Sequence, residues 1–346
     1  MLSLTHRKTG ILSAVEVEKI KGIYFASTDL CGGLSFEKDL AVIRAIGEGV
    51  ERYASNKYNL NQLPFGSYEQ LQRKYKLLRP AELFLFSKEQ YQLPNFPFIP
   101  FTTQTETHWI EAREMLGRKK VYIPAFFVFL SYQRKECREQ YIIPTSSGTA
   151  CHGSFEDAAL SAIYELIERD ATLGMWDKSF APPQITPPLE IKKAIKKNFK
   201  EETVTFYDLK TDLGIPVVMA KCRGLGFSSF GSACHFTYKK AMEKALLECF
   251  QTAHAIKNLE ITQKPENEIN DFIDHLLFYA REEHQKYLTF LDQGVTKHSR
   301  KTKKVAPTLA GVLKAFADNN LGKIYLADIT PLQVKASGLH VVRARP

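Results

Sequence analysis

The sequence has no C-x-x-C pair, no Walker phosphate loop, no kinase signature and no membrane-length apolar run. Its six cysteines, Cys31, Cys137, Cys151, Cys222, Cys234 and Cys249, are scattered along 346 residues. That usage fits a reducing cytoplasm better than a disulfide framework. The longest apolar run, Ile123 to Leu130, is far short of a bilayer span. The first residues, M-L-S-L-T-H-R-K, lack the hydrophobic stretch of a signal peptide. A cytoplasmic protein without a membrane partner is therefore expected. No nucleic-acid-binding module is visible, so no nucleic-acid partner is expected either. Without a glycine-rich phosphate loop, any nucleotide must be held in another way.

What is present is ordinary in bulk, with 44% hydrophobic and 25% charged residues. The length allows one large domain or two smaller ones, but no composition break justifies a cut. Net charge is +9, which suits an anionic ligand or an acidic partner. Two basic clusters stand out, Lys192 to Lys200 and Lys297 to Lys304. They read as a solvated helix face and a mobile loop.

The informative feature is a repeated stripe. Ala158, Ala162, Glu165 and Glu168 fall at i, i+4, i+7 and i+10, which is one face of a helix. The same form appears as Ala41, Ala45, Glu48, Glu51 and as Ala241, Ala245, Glu248, Gln251. The alanines permit a close backbone approach. The carboxylates then share one space and repel each other unless something positive lies between them. Gly148-Thr149-Ala150-Cys151-His152 and Gly231-Ser232-Ala233-Cys234-His235 precede the second and third stripes in matching register. Such repetition is a structural signal in itself. Plain amphipathic helices with polar edges are the alternative.

Around the stripes the order mixes strands and helices. Strands are expected at Gly10–Val15, Ile23–Ala26, Trp109–Ala112 and Val121–Phe127, and then at Thr203–Tyr207, Ile215–Ala220, Lys323–Asp328 and Leu339–Arg343. The stripe helices run over about 36–57, 158–171 and 238–256. Further helical stretches are expected near Tyr68–Leu78, 189–200, 267–291 and 307–319. The proline-rich segment 181–188 reads as a linker or lid.

Several acidic groups facing one cavity suit a hard cation such as magnesium, which takes carboxylate and phosphate oxygens. Arg52, Arg169 and Lys244 could then neutralise a polyphosphate. Arg52 and Arg169 could equally be structural salt bridges. A di-iron site would need Glu-x-x-His pairs, and no stripe carries them. Cys151-His152 and Cys234-His235 lack metal-ligand spacing.

Three stretches resemble the YcaO-domain family: R-A-I-G-E-G-V-E-R-Y at 44–53, T-S-S-G-T-A-C-H with A-I-Y-E-L-I-E-R-D-A within 145–171, and G-S-A-C-H with A-M-E-K-A-L-L-E-C-F-Q within 231–251. Trp109 to Pro124 and the closing G-L-H-V-V-R at 338–343 support the match. The resemblance implies a mixed α/β fold of repeated strand–helix units around a central nucleotide site, as one domain over 1–346. It also implies ATP and Mg2+ as cofactors. Glu48, Glu51, Glu165, Glu168 and Glu248 would hold magnesium, and Arg52, Ser146, Arg169, Lys244 and Gln251 would contact phosphates. It points to no particular catalytic residue.

The implied reaction is phosphorylation of a peptide-backbone amide. With a Cys, Ser or Thr side chain as nucleophile it gives a thiazoline or oxazoline; with external sulfide it gives a thioamide. A nucleotide-binding scaffold without catalysis is a third reading. A precursor peptide would be the substrate. A separate leader-binding, E1-like or sulfur-delivery protein would assist, and a homodimer is compatible. Departures from the family pattern are Ser147 where Asn is common, Cys31-Gly32-Gly33 in place of Gly-Lys-Gly, Arg44 in place of a small Ser, Lys244 where Arg is common, and an end at Pro346 where many relatives continue into a proline-rich tail.

Overall fold

The computed structural model describes residues 15–20, 22–28, 31–83, 85–199, 202–209, 211–224, 227–258, 269, 272–296 and 305–346. Strands β1 (Glu16–Ile20), β2 (Ile23–Ser27) and β3 (Gly32–Ser35) form an antiparallel sheet in chain order. Strands β4 (Phe65–Gly66), β5 (Thr107–Glu114), β6 (Lys119–Pro124) and β7 (Thr149–His152) begin a second sheet. Strands β8 (Gln184–Ile185), β9 (Thr203–Leu209), β10 (Val217–Gly224) and β11 (Phe227–Cys234) form a third, in the order β11-β10-β9-β8. The last strands, β12 (Tyr325–Asp328) and β13 (His340–Arg345), complete the second sheet in the order β4-β5-β12-β13-β7, with β6 paired to β5.

The three stripe helices span Lys38–Ala54, Phe155–Lys178 and Tyr238–Asn258. Each packs on the strand that precedes it: β3, β7 and β11. Each also reaches the strand of the next unit. The first helix touches β7, the second touches β11, and the third returns to β3. The repeats thus close into a ring.

The stripe alanines Ala41, Ala45, Ala158, Ala162, Ala241 and Ala245 have no exposed surface. They let glycine-bearing strands approach the helix backbone. A Cβ on Gly33 would strike the Ala41 carbonyl and the Ala45 nitrogen; one on Gly231 would strike the Ala245 carbonyl and the Cys249 nitrogen. The alanine–glycine pairing is a requirement of contact between backbones.

Strand β10 is buried continuously from Val217 to Cys222, with the second and third stripe helices both packed on it. Burial on both sides explains the apolar run Val217–Ala220, which ends at Lys221, buried but paired with Asp292. The core under the first helix gathers Trp109, Ile123, Phe126 and Val341.

Several sequence expectations change. The proposed strand at residues 10–15 lies outside the described residues except for Val15, and the strand found is Glu16–Ile20. The helix over Tyr68–Leu78 lasts one turn, Tyr68–Leu71, started by a Ser67/Gln70 capping box. Beyond it the chain turns through residues 72–75, and Leu77 then bridges to Tyr122. The segment 121–127 leaves strand at Pro124 and coils into a 3-10 turn. Within the stretch 267–291 there is a helix over Phe272–Ala280 followed by a 3-10 segment, Glu282–Gln293; residues 267–268 and 270–271 lie outside the described residues. The linker 181–188 contributes β8, which pairs with β9. The basic cluster 297–304 lies outside the described residues. Among the described residues, no helix is long and apolar enough to cross a membrane.

Candidate functional site

Where the helix ring closes, a cavity of about 640 Å³ opens. The first unit lines it with Gly32, Glu48 and Glu51; the third supplies Lys244, Glu248 and Gln251. The second unit's strand adds Ala150, Cys151 and His152, and its helix adds Ser161.

The fourth stripe position links neighbouring units. Glu51 Oε1 accepts the Cys151 backbone N–H of β7 at 2.7 Å. Glu168 does the same one unit on, accepting the Cys234 N–H of β11 at 3.2 Å and the Ser232 hydroxyl at 3.0 Å. Gln251 holds the equivalent place in the third helix and lines the cavity beside Gly32 and Gly33 of β3.

The third stripe position carries the other carboxylates. Glu48 accepts the Gly32 N–H at 3.3 Å and lies 3.4 Å from Arg52. Glu165 lies 3.8 Å from Arg169. Both arginines keep 42% and 49% of their side-chain surface exposed. Glu248 has Thr252 four residues on; Lys244 lies one turn before it.

Burial dominates the electrostatics. It pushes Glu51 up to about 8, opposed by the Cys151 N–H and reinforced by Glu165 and Glu48. It raises Glu165 too, with Arg169 as the main opposing charge. Glu168 and Glu248 are both raised by burial, and each lies in the field of another stripe carboxylate. Burial lowers Lys244, and the nearby Arg44 adds to this. Lys244 and Glu248 both keep exposed surface and line the cavity, so a ligand there can reach them directly. The site therefore concentrates carboxyl groups that are costly to ionise until a cation arrives.

Among the described residues, no group of three or more His, Cys, Asp and Glu side chains stands close enough to grip a bare metal ion. Ser146 lies in the turn before β7, where its carbonyl accepts the Thr149 N–H at 3.1 Å, and it does not line the cavity. Arg52, Glu165, Glu168 and Arg169 do not line it either, and Arg169 borders a separate cavity with Leu166, Asp170 and Pro346. The structure brings Glu48, Glu51, Lys244, Glu248 and Gln251 to one space. It adds two residues that the sequence reading gave no role, Arg44 and His152. Arg44 lies four residues before Glu48, so helical spacing could have found it; the exposure of His152 depends on strand pairing. Burial pushes the Cys151 thiol up to about 12, which leaves it protonated and inert.

A family model for the YcaO cyclodehydratases, described as ATP- and Mg2+-binding, matches residues 32–345. The chain belongs to the YcaO family. As a family member it is an ATP- and Mg2+-binding protein. No curated protein matches it. Among solved structures it is similar to a heterocyclase in complex with substrate and cofactor, with TM-score 0.75 and 17% identity, covering 96% of this chain and 49% of that one. The chain thus spans about half of that heterocyclase. It is similar to the YcaO protein of Methanopyrus kandleri bound with AMPPCP and Mg2+, with TM-score 0.74 and 18% identity over 98% and 86% of the two chains. It also resembles a chain of the Escherichia coli microcin synthetase McbBCD complex, with TM-score 0.64 and 16% identity over 96% and 86%. At these identities the likeness establishes the YcaO fold.

Proposed function

We propose that the chain uses ATP and Mg2+ to activate a peptide-backbone amide, and that the reaction is cyclodehydration of Cys, Ser or Thr to a thiazoline or oxazoline. The observation that carries this reading is the cavity lined by Glu48, Glu51, Lys244, Glu248 and Gln251 from the first and third repeats. The donor set fits the cofactor. Magnesium takes hard oxygen ligands and keeps several waters, so carboxylates spaced around a cavity suit it without a tight three-residue cage. Glu48, Glu51, Glu165, Glu168 and Glu248 would hold the metal directly or through water. Lys244 and Gln251, which line the cavity, would face the phosphates; Arg52, Ser146 and Arg169 do not line it and would have to reorient toward them. Bound magnesium neutralises charge on the transferring phosphoryl group.

In this reaction the substrate side chain adds to the preceding carbonyl carbon. The carbonyl oxygen then takes the γ-phosphoryl group, and loss of phosphate leaves a C=N bond. The protein's share is to position the partners and keep the charges fixed. A precursor peptide and a separate partner protein complete the reading. The microcin synthetase complex with pro-MccB17 bound is similar in fold and supports such an arrangement.

The test is ATP turnover with candidate Cys/Ser/Thr-rich peptides and their partner, read alongside peptide mass. Loss of one water per ring supports cyclodehydration. Exchange of oxygen for sulfur points to thioamidation. No turnover, with Glu165→Gln changing nothing, points to a scaffold.

A further inference from the structure

Arg343 does not line the cavity, and the reading above gives it no role. It is 0% exposed on β13, with Thr149 of β7 as its register partner. Its Nη1 donates to the Thr149 hydroxyl and its Nη2 to the Thr145 carbonyl. One guanidinium thus joins both ends of the turn 145–149. That turn is pinned to the same strand by the Ala344 N–H, which donates to the Gly148 carbonyl at 2.7 Å. Its Gly148 N–H braces Glu165, and the Arg343 charge acts on the same carboxylate. The Nε of Arg343 is buried without a hydrogen-bond partner. Arg345, two residues on and also buried, donates its Nε to the Phe127 carbonyl.

Two buried guanidiniums on one strand are costly, and packing alone does not call for them. An apolar side chain would fill the space without the desolvation cost. Arg343 makes contacts that an apolar residue could not: fixed, forked hydrogen bonds to both ends of one turn. Resting on the nucleotide reading above, we propose that Arg343 is a positioning residue: it holds the 145–149 turn and the Glu165 carboxylate beside the cavity, and so fixes the cavity-lining residues Ala150, Cys151 and His152 that follow the turn for binding of the metal–nucleotide. It acts through these groups and does not touch the ligand.

The experiment is calorimetric titration of Mg2+ and AMPPCP into the full chain, with thermal melts recorded without nucleotide. The proteins are wild type, Arg343→Lys and Thr149→Val. Lysine keeps the charge but loses the fork; valine keeps the shape of Thr149 but removes its acceptor. The expected result is a loss of affinity of about tenfold for Arg343→Lys and about threefold for Thr149→Val, in each case larger than the accompanying fall in nucleotide-free melting temperature accounts for. If Arg343→Lys does not fold, Thr149→Val decides the matter. Wild-type affinity in the variants that fold, or affinity loss only in proportion to lost thermal stability, overturns the proposal. A wild-type chain that binds no Mg2+–AMPPCP overturns the nucleotide reading and this proposal with it.

Discussion

The first two repeats and the third solve the same problem differently. In the first two, the carboxylate at the third stripe position has an arginine four residues on: Glu48 with Arg52 at 3.4 Å, and Glu165 with Arg169 at 3.8 Å. In the third, Thr252 stands at that place and Lys244 comes one turn earlier. In the first two, the last stripe residue is a glutamate that caps the next strand, whereas the third ends in neutral Gln251. The repeated scaffold is thus kept while its charge is varied. Glu248 faces the cavity without a following arginine, so a bound cation has the most to add there.

The largest expected effect tests what the repeats share. Gly33→Val and Gly231→Val each drive a side chain into the backbone of a stripe helix. Each should cost about 3 kcal/mol or more, read by urea denaturation, and the two should be similar. A clear difference would show that the repeats are not equivalent in packing. Next come the arginines that only the first two repeats have. Arg52→Met and Arg169→Met should each weaken Mg2+–AMPPCP binding by about tenfold. Both side chains are half-exposed, so their surface ion pairs add little to folding and melting temperatures should barely move.

The alternation of alanine and glutamate was legible in the sequence because helical periodicity puts it on one face. Three occurrences of one stripe announced the fold before any pairing was known. The ring closure was less visible. It depends on Glu51 and Glu168 reaching strands about seventy to a hundred residues away, and local spacing carries no such information. Strand β11 was missed because F-S-S-F-G-S-A-C is poor in β-branched residues and is made a strand by β10 and the third stripe helix. In the sequence Arg343 is only one residue of a closing motif; its role depends on the antiparallel register with Thr149. The Tyr68–Leu78 stretch misleads because its tyrosines and leucines recur at helical spacing, whereas the helix gives way to a turn and Tyr75, at the turn's end, packs edge-on against Tyr122.

Two smaller effects sharpen the contrast. The Glu51 carboxyl is raised from its ordinary value to about 8. Between about 4.5 and 8 the folded, ligand-free protein therefore keeps a proton that the unfolded chain has released. Stability from this group is full below the ordinary carboxyl value and is lost as pH rises through about 8. Thermal melts across that range should show a falling melting temperature, and Glu51→Gln, which keeps the acceptor for Cys151, should flatten the trend. The smallest effect comes from giving the third repeat the missing partner. Thr252→Arg should stabilise the ligand-free chain by about 0.3–0.5 kcal/mol through an i, i+4 pair with Glu248. It should also weaken magnesium-dependent binding slightly. Both changes are readable by paired melts with and without Mg2+–AMPPCP.

The central claim is that the ring of stripe helices forms one metal–nucleotide site to which the third repeat contributes Glu248. It is tested most directly by titrating AMPPCP, with and without Mg2+, into wild type and Glu248→Gln. The account predicts nucleotide binding that requires Mg2+ in the wild type and is weakened by about thirtyfold or more in the variant, with the fold intact. Equal affinity in the two proteins, or binding indifferent to Mg2+, would contradict it.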